Sequence, residues 1–311
     1  MKLRLILLLF LLAVLVSGCV GQQKSEAETF TASDSALEIS FLEGQPPDRI
    51  FGGNTFDVAV LAVNKGGTAL PKDSIRFVLN DGKFGLTQQN AEQNAVRRNS
   101  EALAPISRVP SGEFLQGGRD VILWQDLSYN SVRPITEEVK TPIRADTCYK
   151  YNTISVVKLC VKTEKTTAVC KDDEAKAVEN SGAPIKVSEF TELKSQKSQN
   201  GAEVGFKFKL KKVGDAKYKI YSPSAECGII NPEKLNNVQL DSMTFEGKTL
   251  LPYIICNDAI EAFLSSESLE SDYIFCRFET DAASSYEGVL AMSFRYLITQ
   301  SISKDMQIIP I

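Results

Sequence analysis

The chain of 311 residues contains no histidine. The side chain that most often serves as general base, metal ligand or triad member near neutral pH is therefore missing. Ser-His-Asp, Cys-His and His-zinc chemistry are excluded. No Cys-x-x-Cys spacing occurs, so a thiolate metal site has no framework. None of the fourteen asparagines stands in Asn-x-Ser/Thr, which removes sequon-based N-glycosylation. The Asp-Thr/Ser-Gly signature of a carboxylate pair is also absent. These absences leave no catalytic residue, metal or cofactor to name, and the expectation is a protein that is not an enzyme.

The strongest positive signal lies at the start. Lys2 and Arg4 precede an apolar run from Leu5 to Val16 that ends in Val16-Ser17-Gly18-Cys19. A basic start, a short hydrophobic stretch and small residues before a cut make an export signal, and the run falls short of the ~20 residues a spanning helix needs. No later apolar run is long enough to cross a membrane. The small-residue-Gly-Cys ending resembles the lipobox of prokaryotic lipoproteins. That resemblance implies a signal peptide over residues 1–18, lipidation of Cys19, and residence on the outer face of the cytoplasmic membrane. Two acyl chains give stable anchoring where one is marginal. Residues 19–36, poor in large apolar side chains, read as a flexible tether. Without Lys2 and Arg4 the exported part carries 33 basic against 39 acidic residues, net −6. That balance disfavours nucleic acid as a partner.

Six further cysteines remain, Cys148, Cys160, Cys170, Cys227, Cys256 and Cys276. An even number in an exported chain favours disulfides, and six thiols allow fifteen connectivities. Three fall on each side of a polar, proline-ended linker at Glu179–Pro184, so full oxidation requires at least one bridge between the halves. Cys160 with Cys170 and Cys256 with Cys276 are the favoured local pairs, leaving Cys148 and Cys227 to cross.

Alternation at the period of half-buried strands dominates both halves. Leu37 to Phe41, Phe56 to Val63, Ile75 to Leu79, Asp120 to Leu127, Val139 to Ile143 and Ser155 to Val161 read as strands of the first half. Ile185 to Leu193, Val204 to Leu210, Val238 to Phe245, Asp272 to Phe278, Leu290 to Ile298 and Met306 to Ile309 read as strands of the second. Asn80-Asp81-Gly82 and Gln199-Asn200-Gly201 are hairpin signals. Gln88 to Ala104 reads as a loop with a short helix. Many short strands at this spacing predict an all-β chain of two tandem sandwiches, residues 37–182 and 185–311. With its lipobox and tether, the chain looks like archaeal surface lipoproteins with tandem immunoglobulin-like domains. Asn64-Lys65-Gly66-Gly67 after Phe56 to Val63 is similar to the strand-then-Asn-x-Gly turn of CARDB-type adhesion modules. The resemblance implies a binding or scaffolding module at the cell surface. It carries no catalytic residues over.

Three groups stand out as candidate sites. Lys207, Lys209, Lys211, Lys217 and Lys219, with Lys212 between them, form a basic face on alternating positions. Such a face suits anionic headgroups, an acidic polysaccharide or a protein partner, although lysines also keep exposed strands soluble. Lys171-Asp172-Asp173-Glu174 offers carboxylates without the spacing of a calcium loop, and reads as a solvated charge run. Tyr149 and Tyr151 read as buried strand residues rather than the lining of a ligand groove. The rival readings are a solute-binding lipoprotein serving a transporter, and an enzyme acting on surface polymers through a carboxylate pair.

Overall fold

The computed structural model describes residues 33–310 except 81–94, 109–112, 129–135, 164–168, 215–216, 258–260 and the single positions 200, 230 and 252. The signal segment, Cys19, most of the tether and the Asn80-Asp81-Gly82 turn beyond Asn80 lie outside the described residues. Within them the chain is all-β, with one short 3₁₀ turn at Pro232–Lys234. In chain order the strands are β1 (Leu37–Phe41), β2 (Arg49–Phe51), β3 (Thr55–Asn64), β4 (Arg76–Asn80), β5 (Val96–Arg98), β6 (Ser107–Arg108), β7 (Phe114–Leu115), β8 (Arg119–Ser128), β9 (Val139–Val161) and β10 (Val178–Asn180). They continue with β11 (Ile185–Glu192), β12 (Gln196–Ser198), β13 (Gly201–Lys212), β14 (Lys219–Tyr221), β15 (Asn237–Phe245), β16 (Lys248–Thr249), β17 (Ile255–Cys256), β18 (Glu261–Phe263), β19 (Ile274–Thr280) and β20 (Tyr286–Ile309). Val96–Arg98, expected within a helical loop, is instead a strand paired to β4.

The architecture turns on two long strands. β9 has 23 residues and β20 has 24, and they pair antiparallel from Tyr286↔Val161 to Ile308↔Val139. At about 3.3 Å per residue such a ladder extends for roughly 75 Å before twist shortens it. The sequence pattern predicts four separate strands here, and the structure joins them in pairs. On one half of the ladder, β4 and β5 extend the β9 edge, while β14 and β2 pair with β20. A three-stranded sheet, β1-β3-β8, belongs to this lobe and contributes Leu37, Val58, Val60 and Trp124 to its core. On the other half, β10 and β15 flank the pair, and the five-stranded sheet β11-β13-β19-β17 with β12 lies across the core. There Phe208 meets Phe294 at 5.8 Å and Phe245 meets Phe278 at 5.0 Å between ring centroids.

One hydrophobic cluster runs through both lobes. The boundary expected at residues 182–185 therefore does not divide the sheet: β9 belongs to both lobes, and the end of β20 returns to the first. The end of the expected tether is also fixed, since Ala36 is buried, the Ala183 amide donates to Ser33 O at 3.1 Å, and Lys186 pairs with Asp34.

Three disulfides tie the strands: Cys148–Cys227, Cys160–Cys170 and Cys256–Cys276. Cys256 and Cys276 are direct partners across β17 and β19, 4.1 Å apart at Cα, close to the spacing of a non-hydrogen-bonded antiparallel pair. Asn64, fully buried, closes the turn after β3: its amide donates to Thr68 O at 2.9 Å and Leu103 O at 3.0 Å, and its Oδ1 accepts from the Gly66 amide at 3.0 Å.

Candidate basic cleft

The five lysines of the expected basic face separate into two groups. Lys207, Lys209 and Lys211 share the outer face of β13, as alternation requires. There they are largely neutralised: Lys211 lies 2.8 Å from Glu270, Lys209 lies 3.7 Å from Glu189, and the ammoniums of Lys207 and Lys209 sit 4.6 and 4.5 Å from the Tyr273 ring centre. Tyr273 donates its hydroxyl proton to Glu189, which lowers the Glu189 pKa and raises its own. β13 ends at Lys212, and the chain then crosses to the opposite sheet, where β14 pairs with β20. Lys217 and Lys219 thus reach a different surface.

That surface is a cleft of about 620 Å³ on the outer face of the long sheet. Strand register builds it. Arg76 on β4 pairs with Cys148 on β9, Cys148 with Thr299 on β20, and Thr299 with Lys219 on β14, so these four form one row across four strands. The neighbouring row holds Val78, Asp146 and Ser301, and the next brings Asn80 opposite Arg144. Among the described residues, the cleft is lined by four cations, Arg76, Arg144, Lys217 and Lys219, against one carboxylate, Asp146. Asp146 is already engaged: it accepts from Arg144 Nε at 2.6 Å, from Asn80 Nδ2 at 2.5 Å and from the Ser301 hydroxyl. Among the described residues, the Arg76 guanidinium and the Lys219 ammonium meet no acceptor.

A loop over residues 222–235 forms one wall. The Ser222 amide donates to Lys234 O at 2.8 Å, and Asn231 caps the 3₁₀ turn by accepting from the Glu233 amide at 3.0 Å. Tyr221, Ala225 and Leu297 make a small apolar cluster beneath the loop with Cys148, and the Cys148–Cys227 bridge pins it to β9. Sequence reasoning found Lys217 and Lys219 but missed Arg76 and Arg144, which lie on strands remote in the chain and meet only through sheet register.

The other groups singled out in the sequence are built into the body. Tyr149 and Tyr151 are buried, and the Tyr151 hydroxyl donates to Gly182 O at 3.1 Å. The acidic run is less solvated than expected, because Asp172 binds Lys162 at 2.6 Å and the Ser195 amide at 2.9 Å, and Glu174 lies 2.9 Å from Lys176. Nearby stands a buried acid that the sequence did not flag. Glu192 at the end of β11 accepts from the Cys160 amide at 2.8 Å and faces Lys176 at 3.2 Å with no exposed side-chain surface. Burial pushes its pKa up to about 7 against the pull of Lys176.

The folded protein therefore holds more protons at this carboxyl than the unfolded chain does between about pH 4.5 and 7. Stability should fall as pH rises through that window, by at most roughly 3.5 kcal/mol, and level off above it. Glu192→Gln keeps an acceptor for Cys160 and should flatten this dependence. Urea unfolding at pH 5 and pH 8 checks it, and an equal slope in protein and variant would refute the assignment.

No protein-family model and no curated protein matches the chain. Among solved structures it is similar to the envelope protein VP37 of White Spot Syndrome Virus, at 12% identity over 48% of this chain and 97% of that one, with a TM-score of 0.23. A likeness of this size carries no argument about the fold or role of this chain.

Proposed function

We propose that the chain is a lipid-anchored, extracytoplasmic, non-enzymatic binding module that holds an anionic component of the cell envelope. The observation that carries this reading is the basic cleft: among the described residues, cations outnumber carboxylates in one concavity of a chain whose net charge is −4. Charges gathered in a low-dielectric recess focus an attractive field for anions despite the overall sign. Among the described residues the cleft has one carboxylate, Asp146, and it is held in an ion pair with Arg144, whereas glycoside hydrolysis uses two carboxyls. The lipobox-like Val16-Ser17-Gly18-Cys19 supports anchoring at the outer face of the membrane. The reading of the two lobes as immunoglobulin-like, CARDB-type units belongs to this proposal, and rests on the short antiparallel strands and the Asn64 turn.

Two measurements test it. Cys19→Ser should leave the body folded and move most of the protein from the membrane to the soluble fraction; retention with an unprocessed N-terminus would show an uncleaved anchor instead. Affinity capture from solubilised membranes should recover an acidic polymer, lipid or protein, and recovery only of neutral metabolites would favour a solute-binding role.

A further inference from the structure

We propose that the basic cleft holds a phosphate group, carried by a phospholipid headgroup or free as the phosphate anion. This deepens the anion-binding reading above and rests on it. Three observations point to phosphate rather than to carboxylate.

The first is the presentation of Arg76. A Cβ placed on Gly228 would lie 3.6, 3.7 and 3.8 Å from its Cζ, Nη2 and Nη1. Near-equal distances to three atoms of a plane put the Gly228 backbone over the flat face of the guanidinium. Glycine leaves this side of the group uncrowded, and its N–H edge has no acceptor among the described residues. A guanidinium unengaged at its edge is available for bidentate recognition of an oxyanion.

The second is the number and direction of the cations. Arg76 and Lys219 stand at the two ends of one row, three strand spacings or about 14 Å apart at Cα, so two long side chains reach one small anion over Cys148 and Thr299. Arg144 approaches from a second row, and its ion pair with Asp146 engages Nε only. A planar carboxylate with a single charge is satisfied by one guanidinium fork. Arg76, Arg144 and Lys219 lining one cleft match a tetrahedral group with more oxygens and up to two charges.

The third is position. A second recess of about 470 Å³ shares Lys217, Gln300 and Ser301 with the cleft, and is lined by Ser33, Ser35 and Leu37. The chain coming from residues 1–32 joins the body at this recess. Residues 19–32, fully extended, span at most about 46 Å, so an anchor at Cys19 keeps the cleft within reach of headgroups.

Isothermal titration of the full chain in neutral detergent tests this with three probes: short-chain phosphatidylglycerol, inorganic phosphate and glucuronate. The first two should bind, and glucuronate should bind at least tenfold more weakly than phosphate. Arg76→Ala combined with Lys219→Ala should weaken phosphate at least tenfold at unchanged melting temperature, whereas Lys207→Ala with Lys209→Ala should change nothing. Should the first pair disturb folding, Arg76→Lys alone, which keeps the charge and loses the planar fork, should still weaken phosphate about threefold. Phosphatidylglycerol binding tighter than phosphate assigns the membrane as the source; equal affinities assign the free anion. Glucuronate binding as tightly as phosphate would overturn the phosphate assignment while leaving an anion cleft. Failure of all three probes would overturn the anion reading itself, and a loss confined to the β13 pair would place the site on the wrong sheet.

Discussion

Replacing Cys148 and Cys227 together by alanine should lower the free energy of unfolding by about 4 kcal/mol and loosen one wall of the basic cleft. The bridge closes a sequence separation of 79 residues, the longest of the three. In the chain-entropy account, a loop of that length restrains the unfolded ensemble by roughly 4.5 kcal/mol, against about 3 kcal/mol for the ten-residue loop of Cys160–Cys170. In the folded state, the loop over residues 222–235 would keep its own hydrogen bonds and the short strand β14, but would lose its covalent tie to β9. The loop that lines the cleft beside Arg76 would then be less fixed, so anion affinity should fall with stability. Denaturant unfolding and titration with phosphate read the two effects. A loss under about 1 kcal/mol with unchanged affinity would show that the apolar contacts of Tyr221, Ala225 and Leu297 fix the loop without the bridge.

Gly66→Ala should cost upwards of about 3 kcal/mol, at the high end for overpacking. The turn after β3 packs so closely that a methyl group on residue 66 would lie 1.9 Å from the Tyr151 hydroxyl oxygen and 2.7 Å from Gly182 O. Tyr151 cannot swing aside freely, because its hydroxyl donates to Gly182 O and accepts from the Thr68 amide at 3.1 Å. Two neighbours would have to yield together, one of them backbone. Thermal unfolding should show a large drop in Tm for Gly66→Ala and a smaller one for Lys65→Ala, whose side chain makes only an exposed pair with Glu38. Equal shifts would show that the turn relaxes around the added carbon.

The contrast between alternation and topology explains how much was legible. Val204, Phe206, Phe208 and Leu210 point inward as their period requires, and the expected strands of the central sheets are present. The continuity of β9 and β20 was hidden because inward positions near the lobe junction are polar. Thr153 donates to Ile185 O at 2.9 Å, Gln300 donates to Leu37 O at 3.0 Å, and Thr147 donates to Gln300 O at 3.3 Å. The inner face there meets main-chain carbonyls, those of Leu37 and Ile185 from other strands and that of Gln300 from the paired strand, so the apolar pattern lapses while the strand continues. The basic face failed for a related reason. A period of two carried from Lys207 through Lys219 assumes one strand, and the chain changes sheets after Lys212. Arg76 and Arg144 carry no local signal at all, because pairing across β4, β9, β20 and β14 sets the row that joins Arg76 to Lys219 and brings Arg144 two rows away.

The uninterrupted ladder of β9 and β20 has a mechanical consequence. Tension applied at one lobe and resisted at the other along the ladder would load its hydrogen bonds in shear, many at once, rather than opening them one by one. Bending between the lobes would likewise have to break or bend a continuous ladder, with the Cys148–Cys227 staple fastened to its outer side. The body therefore behaves as a stiff strut, which passes a pull at one end to the other without slack.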